Sequence, residues 1–298
     1  MLHTKTRRNS DVIAFKAFSY PLIGLFALIC LLPFLLIVAS SLTSENSIIR
    51  YGYSLWPKEF STEAYQIVFR NPSRILNAYG VTLFTTAVGT SLSVLINTMT
   101  GYVLSRKDFR WRNCFSFYFF FTTLFSGGLV PWYILCVKTL HLKNTIFAMI
   151  VPTLVSVWNI LLVKGFMSGV PFEITESAKI DGAGDFRIFR QMIFPLAKPV
   201  VATIALFTAL QYWNDWYMCM LFVDTKNLYS LQYMLYQMMG SIQAMREIAS
   251  STSVAATSIP IESTKMALTI VVIGPIIFLY PFVQRFFVRG LTVGSVKG

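Results

Sequence analysis

Hydrophobic positions in this chain do not alternate as in a strand, nor recur on one face as in an amphipathic helix; they come in long unbroken runs. Six stretches stand out, roughly Tyr20 to Ser41, Ile75 to Leu104, Asn113 to Val137, Asn144 to Val163, Pro199 to Val223 and Met266 to Gln284, and the only charged residue in them is Asp215 in the fifth. Each is about 19 residues or longer, enough as a helix to cross a hydrocarbon core roughly 30 Å thick. The pattern predicts an all-α, polytopic membrane protein with about six transmembrane helices. Gly127, Gly128 and Pro131 punctuate the third run, so its crossing is expected to end near Ser126, with a short external helix from Pro131. The run from Tyr20 to Ala39 exceeds a signal peptide's apolar region and is taken as the first span.

Composition strengthens this reading. Of 298 residues, 55% are apolar and 13% charged, against about a quarter charged in soluble domains. The formal charge of +12 would suggest nucleic acid in a soluble protein; here it sets orientation instead. Lys and Arg cluster before the first span, at Arg106, Lys107, Arg110 and Arg112, at Lys164, Lys179, Arg187, Arg190 and Lys198, and after the last span. All four clusters fall on one side, which the positive-inside rule makes cytoplasmic, so both termini are expected inside. This gives a cytoplasmic tail over 1–18, one transmembrane domain over 19–286 and a second tail over 287–298. Ser250 to Ser258 reads as a flexible external loop.

Catalytic chemistry is missing. The sequence has no phosphate-binding loop, HExxH, GxSxG or paired CxxC, and of two histidines, His3 sits on the tail and His141 outside the membrane. Cys30, Cys114, Cys136 and Cys219 are scattered singly and read as small hydrophobes rather than metal ligands or disulfides. No catalytic residue and no metal site is expected. Energy must come from another subunit or an ion gradient. With one ionisable residue in the spans, a stand-alone gradient-driven carrier or channel is the weaker alternative, although backbone carbonyls can hold sodium.

The informative segment is Glu173 to Pro199, EITESAKIDGAGDFRIFRQMIFPLAKP, which the charge count makes cytoplasmic. Ile174 and Ala178 share one helical face, Gly182 can supply a left-handed turn, and Phe186, Phe189 and Ile193 form a second apolar stripe. Two short amphipathic helices joined at a glycine make a knob; amphipathicity alone would equally allow a helix pair lying on the inner leaflet. Glu176-x-Ala178-x-x-Asp181-Gly182-Ala183, followed by Phe189, Pro195 and Pro199, resembles the EAA loop of permease subunits in bacterial ATP-binding-cassette importers, with Ser177 replacing the second alanine. The closing Phe286 to Gly298 and the Trp213-Asn214-Asp215 triplet are similar to the sugar permeases of the maltose-transporter inner-subunit type, and more narrowly to the oligosaccharide permeases named after LplC and YtcP.

That resemblance implies the type I importer permease fold. It also implies a second, different permease subunit, two copies of a cytoplasmic ATP-binding subunit that carry the ATP and magnesium, and an extracellular or periplasmic sugar-binding protein, all at the bacterial cytoplasmic membrane. This chain itself would bind no cofactor. The EAA loop would be a coupling helix: Glu176 and Asp181 would meet polar or basic groups on the ATPase, Ala178 and Ala183 would permit close approach, Gly182 would make the bend, and Phe189 would anchor the loop. The cargo would be an oligosaccharide, with acidic ones among the candidates.

Substrate-pathway candidates come from residue chemistry. Tyr212, Trp213 and Trp216 offer flat apolar faces for a sugar's C–H face, and Asn214, Asp215, Asn97 and Asn159 offer polar groups for its hydroxyls. Asparagines in spans more commonly tie helices together, and a carboxylate at the depth of Asp215 fits the outer interface equally well.

Overall fold

A computed structural model describes residues 5–252 and 260–294. Its helices are α1 (Lys5–Ser41), α2 (Glu45–Tyr51), α3 (Glu63–Val68), α4 (Pro72–Ser105), α5 (Arg112–Leu124), α6 (Leu129–Ile134), α7 (Val157–Met167), α8 (Glu173–Ile180), α9 (Asp185–Ile188), α10 (Phe194–Leu196), α11 (Lys198–Trp213), α12 (Tyr217–Phe222), α13 (Leu231–Thr252) and α14 (Ile261–Gly294). No strand occurs among the described residues; an isolated bridge pairs Thr43 with Phe60. Parts of the expected Ser250 to Ser258 loop and of the C-terminal motif, residues 253–259 and 295–298, lie outside the described residues.

Among the described residues, two helices, Phe15–Ser41 and Pro72–Ser105, are long and apolar enough to cross a membrane unaided. The number rises to five if each bent helix pair is one span. The third expected span is such a pair. It bends by 114° after Leu124, at the glycines that the sequence singles out, with Gly128 at φ +87°. The next helix begins at Leu129 rather than Pro131, because proline fits the first helical turn, where its missing N–H leaves no bond unmade.

The chain divides into two compact units, residues 1–71 with 241–273, and residues 72–240 with 274–298. In the first, α1 runs continuously through Pro21 and Pro33. Ser44 caps α2, and the Glu45 carboxylate accepts hydrogen bonds from the Glu262 and Ser263 backbone N–H groups at 2.9 and 3.0 Å. These are two of the donors that the start of α14 cannot satisfy within its own helix.

The second unit is built on α4, which packs against α7 and α11. Two glycines allow the close approach. A Cβ on Gly89 would lie 2.6 Å from the Tyr212 ring, and one on Gly101 2.6 Å from Val163 Cγ1. Two of the expected spans are interrupted here, for reasons that lie in side chains. In the fourth, short 3-10 turns at Ile146–Met149 and Val151–Thr153 precede α7 at a 46° bend. The groups freed at this break go to α4: the Leu154 carbonyl accepts from Ser93 Oγ at 2.8 Å and Asn97 Nδ2 at 3.0 Å, and Asn97 Oδ1 accepts from Ser156 N at 3.0 Å. The fifth breaks after Trp213. Asn214 Nδ2 donates back to the Leu210 carbonyl, and Asp215 Oδ1 accepts from Met218 N to start α12, so polar side chains compete with the helical ladder.

Candidate functional site

Between α7 and α11 the chain makes the expected knob. Its corner is a helix C-cap: Gly182 has φ +74°, its N–H donates to the Lys179 carbonyl at 3.0 Å, and the Ala183 N–H reaches back to the Ala178 carbonyl at 2.9 Å. This is the double bond pattern of a helix ended by a left-handed glycine, and a side chain at 182 would strain it. After α9 the backbone widens into a π-helical turn over Phe189–Ile193. Pro195 opens α10, and the path then bends by 83° into α11.

The knob has an inner and an outer side. Thr175, Ala178, Ile188, Phe189, Ile193 and Ala197 are buried. All but Thr175 join one apolar cluster with Tyr102 of α4 and Val163 and Met167 of α7, and the Tyr102 and Phe189 rings lie 5.2 Å apart. Phe189 therefore anchors the loop to its own unit. Ala178 is 1% exposed, so the close approach it permits is to this chain's core rather than to an outside partner; Ala183 is half-buried against the same cluster. Glu176, Asp181, Gly182 and Pro195 are exposed.

One expectation is corrected. Phe186 does not share a stripe with Phe189 and Ile193; it is 63% exposed, and Ile188 occupies the inner face. The π-turn spaces bonded residues five apart, which aligns Ile188 with Ile193. Sequence reasoning also passed over Ile180, which is 87% exposed at the tip. Its signal is a large apolar residue beside the capping glycine, outside the buried face.

The sequence between α4 and α5 contributes an ionic clasp on the knob's flank. Arg106 Nε lies 2.8 Å from Asp108 Oδ1, and Nη2 bonds the other oxygen of that carboxylate. Nη1 lies 2.5 Å from Asp185 Oδ1 at the start of α9. Lys179 Nζ, in the last turn of α8, lies 2.6 Å from Asp108 Oδ2. The Arg106 guanidinium holds the Asp108 carboxyl well below the usual carboxylate range, with Lys179 adding to the effect; Asp108 in turn raises Arg106. A cleft of about 360 Å³ is lined by the clasp residues Arg106, Asp108 and Asp185 together with Met99, Tyr102 and Phe189.

The substrate-pathway candidates separate into two groups. Asn97 is fully buried and uses both amide atoms within the α4–α7 seam. Asn159 donates to Thr208 Oγ1 at 3.2 Å. Tyr212 is buried over Gly89, with its hydroxyl donating to the Ile150 carbonyl at 3.1 Å. Trp213 is buried too, and its Nε1 finds no partner among the described residues. Asn214 and Trp216 are exposed, and Trp216 stacks on the exposed Tyr236 at 4.9 Å. Asn214 Oδ1 accepts from Gln232 Nε2. The structure thus adds Tyr236 and Gln232 of α13 to this outward group. Asp215 caps α12 through one oxygen, while its Oδ2 has no partner among the described residues. Among the described residues, no group of His, Cys, Asp and Glu is placed to hold a metal ion.

The pattern that defines the family described as "Binding-protein-dependent transport system inner membrane component" matches residues 89–293, including the whole knob. The chain is 35% identical over 285 residues to the polygalacturonan/rhamnogalacturonan transport system permease protein YtcP of Bacillus subtilis, covering 95% of this chain and 98% of the relative. It is 34% identical to LplC of the same organism, over 100% of this chain and 98% of that one. Among solved structures, it matches a chain from a bacterial ABC transporter involved in import of the acidic polysaccharide alginate with a TM-score of 0.78, at 27% identity, covering 96% of this chain and 99% of that one.

Proposed function

We infer that this chain, which belongs to the family of binding-protein-dependent transport system inner membrane components, carries an oligosaccharide across the bacterial cytoplasmic membrane as one of two permease subunits. It is a transport subunit of an ATP-binding-cassette importer and not an enzyme. Residues 19–286 act as one transmembrane domain of six spans, with both tails in the cytoplasm. Two copies of an ATP-binding subunit, which hold the ATP and magnesium, drive it, and an external binding protein delivers the sugar. Similarity to permeases of galacturonan and alginate systems makes uronate-bearing oligosaccharides the first cargo to test. Trp216 and Asn214, with Tyr236 and Gln232, are the proposed sugar-facing group; Asn97, Asn159, Tyr212 and Trp213 hold the helices that present them.

The two-sided knob carries this reading. Its inner side is fused to the helix core through Ala178, Ile188 and Phe189, while Glu176, Ile180, Asp181 and Phe186 face outward around a glycine corner. A partner that seats on the outer side can move α7 and α11 as one piece, biasing two packed arrangements of the bundle. The test is co-purification with the ATPase, followed by uptake in proteoliposomes. Glu176→Lys reverses an outward charge, and Gly182→Pro forces φ to about −65° where the corner needs a positive value. Both changes are expected to remove ATPase association and uptake together. Retention of both functions in both variants would overturn the assignment.

A further inference from the structure

We propose that the sequence between α4 and α5 is a working part of the lever, with Arg106 and Asp108 as positioning residues that make the knob and α4 move as one body. This rests on the coupling role proposed above and adds to it the element through which motion reaches α4.

The knob is covalently continuous with α7 and α11, but it joins α4 only through contacts. One of these is apolar, Tyr102 against Phe189 at 5.2 Å. The other is the clasp. Arg106 is 12% exposed and Asp108 33%, and between them they grip both arms of the knob. Asp108 takes Lys179 at the end of α8, and Arg106 takes Asp185 at the start of α9. The grip therefore straddles the Gly182 corner, the point where the two arms would hinge if a force on the tip were not shared between them. The Arg106 guanidinium also lies 5.7 Å from the Tyr102 ring centroid, within cation–π range, so the ionic and aromatic contacts form one stack from α4 to the knob. Arginine suits this position because its planar fork addresses two carboxylates at once; lysine, a point charge, cannot reproduce that. The outward residues Glu176, Ile180 and Asp181 take no part in the clasp, so ATPase docking and force transfer use different side chains.

The experiment uses the full importer in proteoliposomes, with its ATPase and binding protein and an oligogalacturonate as cargo. Three quantities are read: ATPase retained in the complex, ATP hydrolysed, and sugar taken up per ATP. Arg106→Gln, Asp108→Asn and Asp185→Asn are expected to retain the ATPase and hydrolyse ATP while sugar per ATP falls at least about fivefold, the low end of ordinary inter-site coupling. Arg106→Lys should restore only part of it. The Arg106→Gln/Asp108→Asn double variant should lose no more than either single one. Raising salt should lower sugar per ATP in the unmodified protein and leave the variants unchanged. Unchanged sugar per ATP in assembled variants overturns the proposal, as does loss of the ATPase, which would mean that the clasp only shapes the docking surface. Asp185 is 63% exposed, so Asp185→Asn decides the matter should Arg106→Gln fail to accumulate. Failure of the coupling reading itself would instead appear as normal assembly and uptake in both Glu176→Lys and Gly182→Pro.

Discussion

The α4–α7 seam and the clasp both join polar groups across helices, yet they are built in opposite ways. At the seam, the neutral amide of Asn97 is fully buried and meets the backbone freed by a broken helix. At the clasp, four ions lie partly in water, from 12% to 63% exposed. Buried neutral hydrogen bonds are expensive to leave unmade, because the orphaned groups lose water as well as partner. Exposed ion pairs are cheap to break, since water replaces the partner. The seam is suited to fixing a packing, and the clasp to tying the knob to α4 while adding little to overall stability.

The contrast can be broken at either end. Asn97→Leu, branched alike but bulkier, orphans the Ser156 N–H and removes one of the two donors to the Leu154 carbonyl, and is expected to destabilise the chain by about 2–4 kcal/mol, measured by thermal unfolding in detergent. Gly89→Ala should come next, at about 1–3 kcal/mol, because the new Cβ would sit 2.6 Å from the Tyr212 ring; Gly80→Ala, with nothing within 4 Å, is the matched control and should be near neutral. Asn159→Ala, which removes the single side-chain bond to Thr208, should cost about 0.6 kcal/mol, the average for such pairs in membranes. Asp108→Asn should alter stability least, by under about 1 kcal/mol, although its transport defect is the larger one.

The clasp also has a defined response to acid. Arg106 and Lys179 depress the Asp108 carboxyl, with Asp185 across the shared guanidinium. A depressed carboxylate contributes stability that is complete above its ordinary value and lost only as pH falls through the lowered one. Sugar moved per ATP should therefore be flat from about pH 5 to about pH 8 as far as Asp108 is concerned, while salt weakens it. A decline within that window that disappears in Asp108→Asn would contradict the charge assignment.

Much of this was legible in the sequence because it follows from local chemistry. Unbroken apolar runs show helices that cross or pack in membranes, and Gly182 marks a corner because only glycine takes the required φ at little cost. The preference of membrane asparagine for tying helices together anticipates Asn97 and Asn159. The breaks in the fourth and fifth spans were not legible. They depend on Asn97, some 57 residues from Leu154, and on Asp215 capping a helix start instead of lining a continuous one. Phe186 was misplaced because a π-turn changed the period that the stripe assumed. The clasp escaped notice because Arg106 and Asp108 lie in a short charged linker that reads as solvated, and their partners are more than 70 residues away.

The central claim is that the outward side of the knob is where the ATPase pushes. A photo-crosslinking residue placed at Ile180, 87% exposed at the tip, tests it most directly in the complete importer during ATP turnover. The account predicts a covalent adduct with the ATP-binding subunit, and none from the same residue placed at Trp216. Adducts only with lipid at Ile180, in a complex that is hydrolysing ATP and importing sugar, would contradict it.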